Sequence, residues 1–300
     1  MFTAGCTFLL IIIGAMVTSK DAGLSVPDWP TSFGRFPVTY RYFEVPLVGG
    51  VLYEHGHRMI AQLIGIFTII LAVWTQKVDR RPWMRALGWT ALGVVIAQGI
   101  LGGITVLFYL PPAISTAHAT LAQIFFCILV SIALFTNRDW TEGSPEQLPQ
   151  TTSPRLTTLS VLTVLSVFVQ LVLGAAFRHN GLKLIPHIIS AGVVTTMILW
   201  TTLTALRRYR SVPQLRKAAV LLHSLLWIQL TLGLGAYLTL VVWDKNAPRP
   251  LTSMVIVTVA HVAVGALVLA TAVVFAIQAR RHLAVSSEVP VASTQKAVHA

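Results

Sequence analysis

Eight long apolar runs dominate the 300-residue chain, and they constrain its fold more than any other feature. Each run is long enough to cross the hydrocarbon core of a bilayer. Their approximate limits are residues 2–18, 51–75, 84–108, 113–136, 156–177, 184–206, 218–242 and 251–279. Because a backbone inside lipid has to satisfy its own hydrogen bonds, we predict that each run forms an α-helix. The sequence therefore predicts an all-α, polytopic membrane protein with eight transmembrane helices.

The composition agrees with a membrane protein, since 55% of the residues are hydrophobic and only 11% are charged. A soluble domain carries about 25% charged residues. The formal net charge is +12, and the basic residues cluster after spans two, four, six and eight. Lys and Arg accumulate in cytoplasmic loops, so we predict a bacterial inner-membrane protein with both termini in the cytoplasm, surrounded by lipid and not binding nucleic acid. The first run is expected to be a retained span rather than a cleaved signal peptide.

The segments between the runs suggest how the chain is divided. Residues 19–50 form a long outer loop that contains Trp29 and several prolines, and loops of this length are usually functional. A polar stretch after span four has no apolar periodicity, which indicates a linker. The predicted divisions are an N-terminal four-helix bundle at residues 1–140, a cytoplasmic linker at 141–154, a C-terminal four-helix bundle at 155–285 and a disordered tail at 286–300.

A short pattern recurs within the odd-numbered spans. A glutamine is followed four residues later by a glycine at Gln98 and Gly102, at Gln170 and Gly174, and at Gln229 and Gly233. In span one, Gly14 and Ala15 match Gly174 and Ala175. Small residues let helices approach closely and glutamine can bond across an interface, so helix packing is the main role that we expect for this pattern. The register predicts two pseudo-repeated four-helix bundles, in which span one corresponds to span five and span three to span seven.

In that register every even-numbered span carries one histidine: His57, His118, His187 and His261. Two imidazoles that face each other across a four-helix bundle suit a haem iron, with one ligand on each face. A zinc or copper site would instead favour three or four close ligands with carboxylate or thiolate help. A single histidine here would more often be an ordinary polar residue, but four at matched positions favour haem. The other histidines are expected to be structural or solvated: His55, His179, His223, His282 and His299.

The two halves differ in their acids. Glu54 precedes His57 by three residues and Arg58 follows it, whereas no acid comes shortly before His187. Residues three apart on a helix share a face, and ionisable groups at the mouth of a membrane helix are costly enough to indicate function. The alternative is that this cluster only anchors the helix in the headgroups. The asymmetry suggests that the first half holds a reacting molecule and the second passes electrons.

These residues resemble motifs of the haem A synthase family. The resemblance rests on three segments: Glu54-His55-Gly56-His57-Arg58, Ala22-Gly23-Leu24-Ser25 with Asp28-Trp29-Pro30, and Ala117-His118-Ala119-Thr120-Leu121-Ala122-Gln123. It implies an enzyme that oxidises the ring-D methyl group of haem O to a formyl group by successive hydroxylations, giving haem A for cytochrome oxidase. It also implies that His187 and His261 ligate a haem b, that His57 and His118 face the substrate haem O, and that Glu54 is catalytic. We expect Arg58 and Trp29 to contact the substrate haem, toward the outer side of the membrane.

One departure from that family concerns cysteine. Many members carry a cysteine pair in the first outer loop, but residues 19–50 contain none, so this chain would be of a cysteine-free type. Cys6 and Cys127 lie in apolar runs, where we expect them to fill space. The resemblance further implies a haem O synthase as supplier and an electron donor that the sequence does not identify, and a homo-oligomer is compatible with it. Two other functions fit the histidines: a bis-histidine electron-transfer cytochrome, and a haem-binding assembly factor without chemistry.

Overall fold

The computed structural model describes residues 1–36, 47–243 and 250–284, and in these ranges the regular structure is helical. The helices are α1 (Phe2–Ser19), α2 (Gly49–Val78), α3 (Pro82–Leu107), α4 (Pro112–Phe135), the short α5 (Arg138–Thr141), α6 (Leu156–Arg178), α7 (Ile185–Arg208), α8 (Pro213–Tyr237) and α9 (Thr252–His282). A π-helical turn, Leu238–Val242, extends α8. All the helices except α5 are long and apolar enough to span a membrane, which confirms the eight predicted spans.

Prolines and left-handed residues define several helix ends. Helices α3, α4, α7 and α8 carry a proline in the first turn, where the missing N–H would have no intrahelical acceptor. The turn from α3 to α4 places Tyr109 and Leu110 at φ 58° and 59°. Leu110 N–H donates to the carbonyl of Thr105 at 2.7 Å, which closes the end of α3. This short turn keeps α3 and α4 adjacent.

The helix contacts close two rings. In the first half α1 contacts α2, α2 contacts α3, α3 contacts α4, and α4 returns to α1. In the second half α6, α7, α8 and α9 contact each other in the same order, and α9 returns to α6. Within each ring, the two helices that carry the paired histidines therefore stand opposite each other. Whether the two rings reflect an internal duplication, and where their domain boundaries lie, stays a prediction.

The two rings meet along α1, α4, α6 and α9. Helix α9 is the most deeply buried of the eight spans. Its Ala266 and Ala270 pack with Phe126 of α4 and Ile11 of α1 in one buried cluster. Small side chains let helices approach closely in lipid, where packing rather than the hydrophobic effect holds them together. The outward surfaces of the spans are rich in exposed aliphatic and aromatic side chains, as expected for an integral membrane protein.

The predicted linker is fastened to the end of α9. Leu148 N–H donates to the carbonyl of His282, and Ala284 N–H donates to the carbonyl of Leu148, each at 2.9 Å. Arg281 donates to the carbonyls of Asp139, Trp140 and Gly143 and lies over the Trp140 ring. The polar segment therefore has an ordered course along the second half. The predicted disordered tail lies outside the described residues, as do Pro37 and Pro46 of the first loop and most of the connection from α8 to α9.

Candidate functional site

Each of the four paired histidines lies against a glycine of the helix that precedes its own. The pairs are Gly14 with His57, Gly102 with His118, Gly174 with His187, and Gly233 with His261. A methyl group added at these glycines would lie 3.0, 3.0, 2.8 and 3.0 Å, respectively, from Cε1 of the imidazole. These are closer than ordinary van der Waals contacts, so the missing Cβ makes room for the ring. The glycines that we expected to serve helix packing therefore form the floor beneath each histidine.

Glutamines of α3, α6 and α8 contact three of these four histidines. Gln98 Nε2 donates to the carbonyl of His118 at 3.0 Å and lies 3.4 Å from Nε2 of the same residue. Gln170 makes the same two contacts with His187, at 3.1 and 3.4 Å. Gln229 Nε2 lies 3.3 Å from Nε2 of His261. A side-chain amide thus lies against the ring nitrogen of His118, His187 and His261.

The tautomer of His118 follows from its partners. Its Nδ1 lies 3.2 Å from the backbone carbonyl of Gln98. A carbonyl oxygen only accepts, so Nδ1 carries the proton and Nε2 keeps its lone pair. Metal-ligating histidines commonly donate their second ring N–H to a backbone carbonyl, which fixes the ring and its tautomer. His118 is therefore prepared to ligate through Nε2.

The pair His187 and His261 has a spacing that suits one metal ion between two rings. The ring centres are 6.3 Å apart and the rings are inclined at 79°. Imidazole-to-metal bonds of about 2 Å, together with the size of the rings, give roughly 6 Å between two ring centres on opposite sides of one metal. His57 and His118 are close enough to interact electrostatically. Each half thus presents two imidazoles from facing helices.

The donor set fits haem better than a bare metal ion. No cluster of three or more His, Cys, Asp or Glu side chains suited to a metal ion occurs within residues 1–36, 47–243 and 250–284. In each half, two imidazoles that pack on glycines and face each other match the two ligands that a haem iron takes. The Oε1 atoms of Gln98 and Gln229 are also buried without a partner, which leaves polar atoms available beside these rings. The residues present therefore fit the haem expected from the sequence.

Glu54 lies near the N-terminal end of α2, with only 4% of its surface exposed. Its Oε2 accepts a hydrogen bond from the backbone N–H of Val26 at 2.8 Å, and its Oε1 pairs with Arg58 Nη2 at 2.6 Å. A buried carboxylate needs such partners to stay charged. Glu54 thus connects α2 to the first outer loop and is not a solvated headgroup anchor.

Arg58 fastens the same loop. Its guanidinium donates to the backbone carbonyls of Val26, Asp28 and Thr31, at 3.0, 2.5 and 2.8 Å. Together with the Glu54 ion pair, these bonds engage both terminal nitrogens of the guanidinium. The structure shows Arg58 holding the loop beside His57, and its expected contact with the substrate haem stays a prediction.

The described part of the loop folds around Asp28. The Asp28 carboxylate accepts hydrogen bonds from the backbone N–H groups of Phe33 and Gly34, at 2.7 and 2.9 Å, and from the Thr31 hydroxyl. Burial raises the pKa of Asp28, but these hydrogen bonds outweigh it and hold the pKa below its usual value. Trp29 packs on Gly103 of α3, the residue next to the glycine under His118. The described part of the loop therefore lies over the N-terminal end of α2 and the C-terminal end of α3, beside both histidines of the first half.

The remaining histidines are not members of the two pairs. His55 is fully buried, and His223 bonds with Thr202 and Trp227 near the inner end of α8. His179 follows α6, where burial, reinforced by Arg178 and His118, lowers its pKa to about 4. His282 is buried at the end of α9, and His299 lies outside the described residues. The two cysteines are free thiols packed in apolar clusters, as expected.

Sequence reasoning missed Arg178. Its Nη2 donates to the carbonyl of Ala15 at 3.0 Å and to the Ser19 hydroxyl at 2.5 Å. Ser19 in turn lies 3.1 Å from the Thr258 hydroxyl of α9. This polar contact joins α6, α1 and α9 next to Gly14, the floor of His57. The available signal was an arginine at the end of an apolar run that is predicted to face outward, where the positive-inside rule does not expect one.

The matches to known proteins agree with one another. Residues 49–186 match the COX15-CtaA model, described as cytochrome oxidase assembly protein. The chain is 32% identical to the heme A synthase of Symbiobacterium thermophilum over 183 residues, which is 58% of this chain and 56% of the relative. It is 29% identical to that of an Exiguobacterium species over 181 residues, 58% of this chain and 54% of the relative. It is 31% identical to that of Roseobacter denitrificans over 134 residues, 41% of this chain and 34% of the relative.

The matched segments span about half the length, or less, of these curated relatives, and no solved structure matches the chain significantly. The family match includes Glu54, His57, Arg58 and His118 and ends immediately before His187. The motifs around Glu54 and His118 thus lie inside the matched region, whereas the first-loop motif at residues 22–30 lies outside it. Residues 49–186 of the chain are thus similar to the COX15-CtaA family of cytochrome oxidase assembly proteins.

Proposed function

We propose that the chain is a haem A synthase, which oxidises the ring-D methyl group of haem O to a formyl group. The observation that carries the proposal is the cluster of Glu54, Arg58 and His57 on α2, inside the family match and under the ordered first loop. The named activity of relatives that match part of the chain supports it. A haem O synthase as supplier, and an electron donor of unidentified kind, belong to the same proposal.

In this proposal the two histidine pairs bind different haems. His57 and His118 hold the iron of the substrate haem O between α2 and α4. His187 and His261 hold a resident haem b between α7 and α9, and the 6.3 Å between their ring centres supports this assignment. A haem b supplies one-electron transfer when it is bound. The chain's own part in that transfer is to hold both imidazoles, which pack on Gly174 and Gly233 of the neighbouring helices.

The first loop closes the substrate site from the outer side. Trp29 packs against α3 beside the floor of His118, and Arg58 fixes the loop backbone to α2. A closed, water-poor site strengthens electrostatic interactions and protects reactive intermediates. Orientation toward the outer face of the membrane follows from the positive-inside prediction and is part of the proposal.

Glu54 is the proposed catalytic acid–base residue. It comes one helical turn before His57, and its carboxylate is held between Val26 N–H and Arg58. A carboxylate so placed could take a proton from a hydroxylated intermediate or stabilise positive charge that develops on the methyl carbon. Both roles require the negative charge, which Glu54→Gln removes while the amide oxygen can still accept from Val26.

The test is co-expression with a haem O source, followed by chromatography of the extracted haems. Wild type should yield haem A beside haem b, and Glu54→Gln should make haem A about 10²–10⁴-fold more slowly while keeping both haem O and haem b. Arg58→Gln is the matched control, since it also breaks the ion pair but leaves the acid in place. Equal loss of haem A formation in both variants would show that Glu54 only holds the first loop in place.

The same extraction separates the two other functions. Haem b at both sites, with no haem O or haem A, would favour the bis-histidine cytochrome. Retained haem O that is never converted in the presence of reductant and oxygen would favour a binding factor without chemistry. Either result would overturn the proposed synthase.

A further inference from the structure

Arg178 places a positive charge where the two rings of helices meet. It is the last residue of α6 and is only partly exposed. An arginine at the end of a span usually extends its charge to the lipid headgroups. Here Nη2 turns inward instead, to the carbonyl of Ala15 and the hydroxyl of Ser19, two buried residues of α1. Headgroup anchoring therefore does not account for the position of this guanidinium.

The guanidinium has no acidic partner in the part of the chain that the structure describes. Its hydrogen bonds go to uncharged oxygens, and none of the ion pairs between described residues includes it. A guanidinium carries five N–H donors, and both of these bonds use Nη2, so the donors of Nε and Nη1 remain for a ligand. A charge held away from water is costly unless a counter-charge accompanies it. Arg178 therefore needs an anion that the described residues do not supply.

The contacts of Arg178 place it beside the second histidine pair. Ser19, which accepts from its Nη2, also bonds with Thr258, one helical turn before His261 on α9. Arg178 is close enough to His261 to interact electrostatically. Ala15, the other acceptor, packs in a buried cluster made mostly of α9 residues. The cation therefore lies next to the site that α7 and α9 form.

We infer that Arg178 binds a propionate carboxylate of the haem held by His187 and His261. The inference rests on the proposed function, which places haem b between these imidazoles. Haem carries its propionates at one edge of the macrocycle, and hydrogen bonds from a guanidinium to a carboxylate are about twice as strong as neutral ones. The propionate supplies the missing counter-charge. Two axial ligands fix the iron but leave the macrocycle free to turn about the axis between them, and the bond to Arg178 stops that rotation.

Resonance Raman spectra of the reduced protein test this contact, because the bending band of the haem propionates shifts when their hydrogen bonds change. The spectra are recorded on the full chain carrying His57→Ala and His118→Ala, so that the haem observed is that of the second half. Arg178→Gln in this background should shift the band. Removing a cation also favours the oxidised haem. Roughly tenfold less reduced haem is expected at a fixed potential, a fall of about 59 mV in the midpoint potential.

Two controls separate the contact from other effects of charge and packing. Lys183→Gln removes an exposed cation from the same turn between α6 and α7 and should change neither the band nor the potential, because solvent screens it. Ser19→Ala breaks the bond from Arg178 to the Ser19 hydroxyl but keeps the guanidinium, so the propionate band should stay in place. If Arg178→Gln does not accumulate in the membrane, Arg178→Lys replaces it. Lysine keeps the charge and changes the hydrogen bonds, so the band should shift with little change in potential.

An unshifted propionate band in Arg178→Gln or Arg178→Lys would overturn the inference. An equal shift in Ser19→Ala would overturn it too, since Arg178 would then act only through helix packing. Failure of the proposed function gives a different result. If no haem b is bound, or if the low-spin haem survives His261→Ala, the assignment of the second half falls and the inference falls with it. If the wild type makes haem A and its low-spin haem depends on His261, but no Arg178 variant shifts the band, the synthase stands and Arg178 only joins helices.

Discussion

Adding one methyl group at Gly174 should remove the haem b from the second half. The new Cβ would lie 2.8 Å from Cε1 and 3.1 Å from Nδ1 of His187. Carbon atoms in good contact are about 3.5–4.0 Å apart, so the ring has to withdraw by roughly 1 Å. Because the ring is the end of a side chain, the helices can stay in place while the ligand nitrogen moves.

The size of the effect follows from overpacking. Inserting a methyl group into a filled site typically costs about 1–3 kcal/mol. If that energy is lost only when His187 is held at the iron, haem b binding weakens roughly 5- to 150-fold, since about 1.4 kcal/mol corresponds to tenfold. Alanine is also about 0.5–1 kcal/mol better than glycine inside a helix, so α6 itself gains stability. The variant should therefore fold and lose haem.

The assay is the haem b content and the low-spin spectrum of purified protein, over a series of detergent washes. Gly192→Ala is the matched control, because it adds the same methyl group to α7, the helix of His187, at a position with nothing within 4 Å. Gly192→Ala should keep haem b at the wild-type level. If Gly174→Ala retained haem b as firmly as Gly192→Ala, then the glycine floor would not locate the ligand and the assignment of this site would be wrong.

Three further outcomes are expected. His261→Ala should abolish the low-spin haem b signal and lower haem A formation, whereas His223→Ala, which changes a histidine outside both pairs, should keep the signal; the reverse would reject the ligand assignment. Trp29→Ala should weaken retention of haem O more than of haem b in the extracted pigments. Equal loss would indicate general instability and not a role of the first loop in covering the substrate site. The pKa of His179 is about 4 in the folded chain, against the usual 6.5, so between these pH values the unfolded chain binds more protons. The free energy of unfolding should therefore fall as the pH drops from 6.5 toward 4. His179→Gln should flatten that slope in thermal unfolding measured across the same range, and an unchanged slope would contradict the buried, neutral imidazole.

The eight spans were predictable because lipid leaves the backbone little choice. Every predicted run overlaps its helix, and the ends differ by a few residues. The largest differences are in α2 and α8, which begin or end several residues beyond the apolar run. Pro213 starts α8 ahead of the predicted residue 218, because a proline is well placed in a first turn even among polar residues. The length of an apolar run therefore predicts which segments span the membrane, and residues such as proline at its ends determine where the helix begins and ends.

The site was predictable in part. The matched positions of the histidines and glycines were visible in the sequence, but the contact of each ring with a glycine floor was not. The hydrogen bonds of Arg58 to three backbone carbonyls leave no pattern in side-chain chemistry, so the motif did not indicate that Arg58 also holds the first loop. Arg178 was missed for a similar reason, since its partners are a distant carbonyl and a hydroxyl.

The bonds of Arg178 affect how variants of this protein have to be interpreted. The Arg178 guanidinium joins the end of α6 to α1, next to the glycine on which His57 packs. Ser19 of α1 also bonds with Thr258, which is three residues from His261 on α9. Substitutions at neighbouring, hydrogen-bonded residues are not additive. A change at any member of this chain of bonds should therefore alter both histidine pairs at once. Loss of one haem in such a variant does not assign the substituted residue to that haem, and only double-mutant cycles across the two halves separate the contributions.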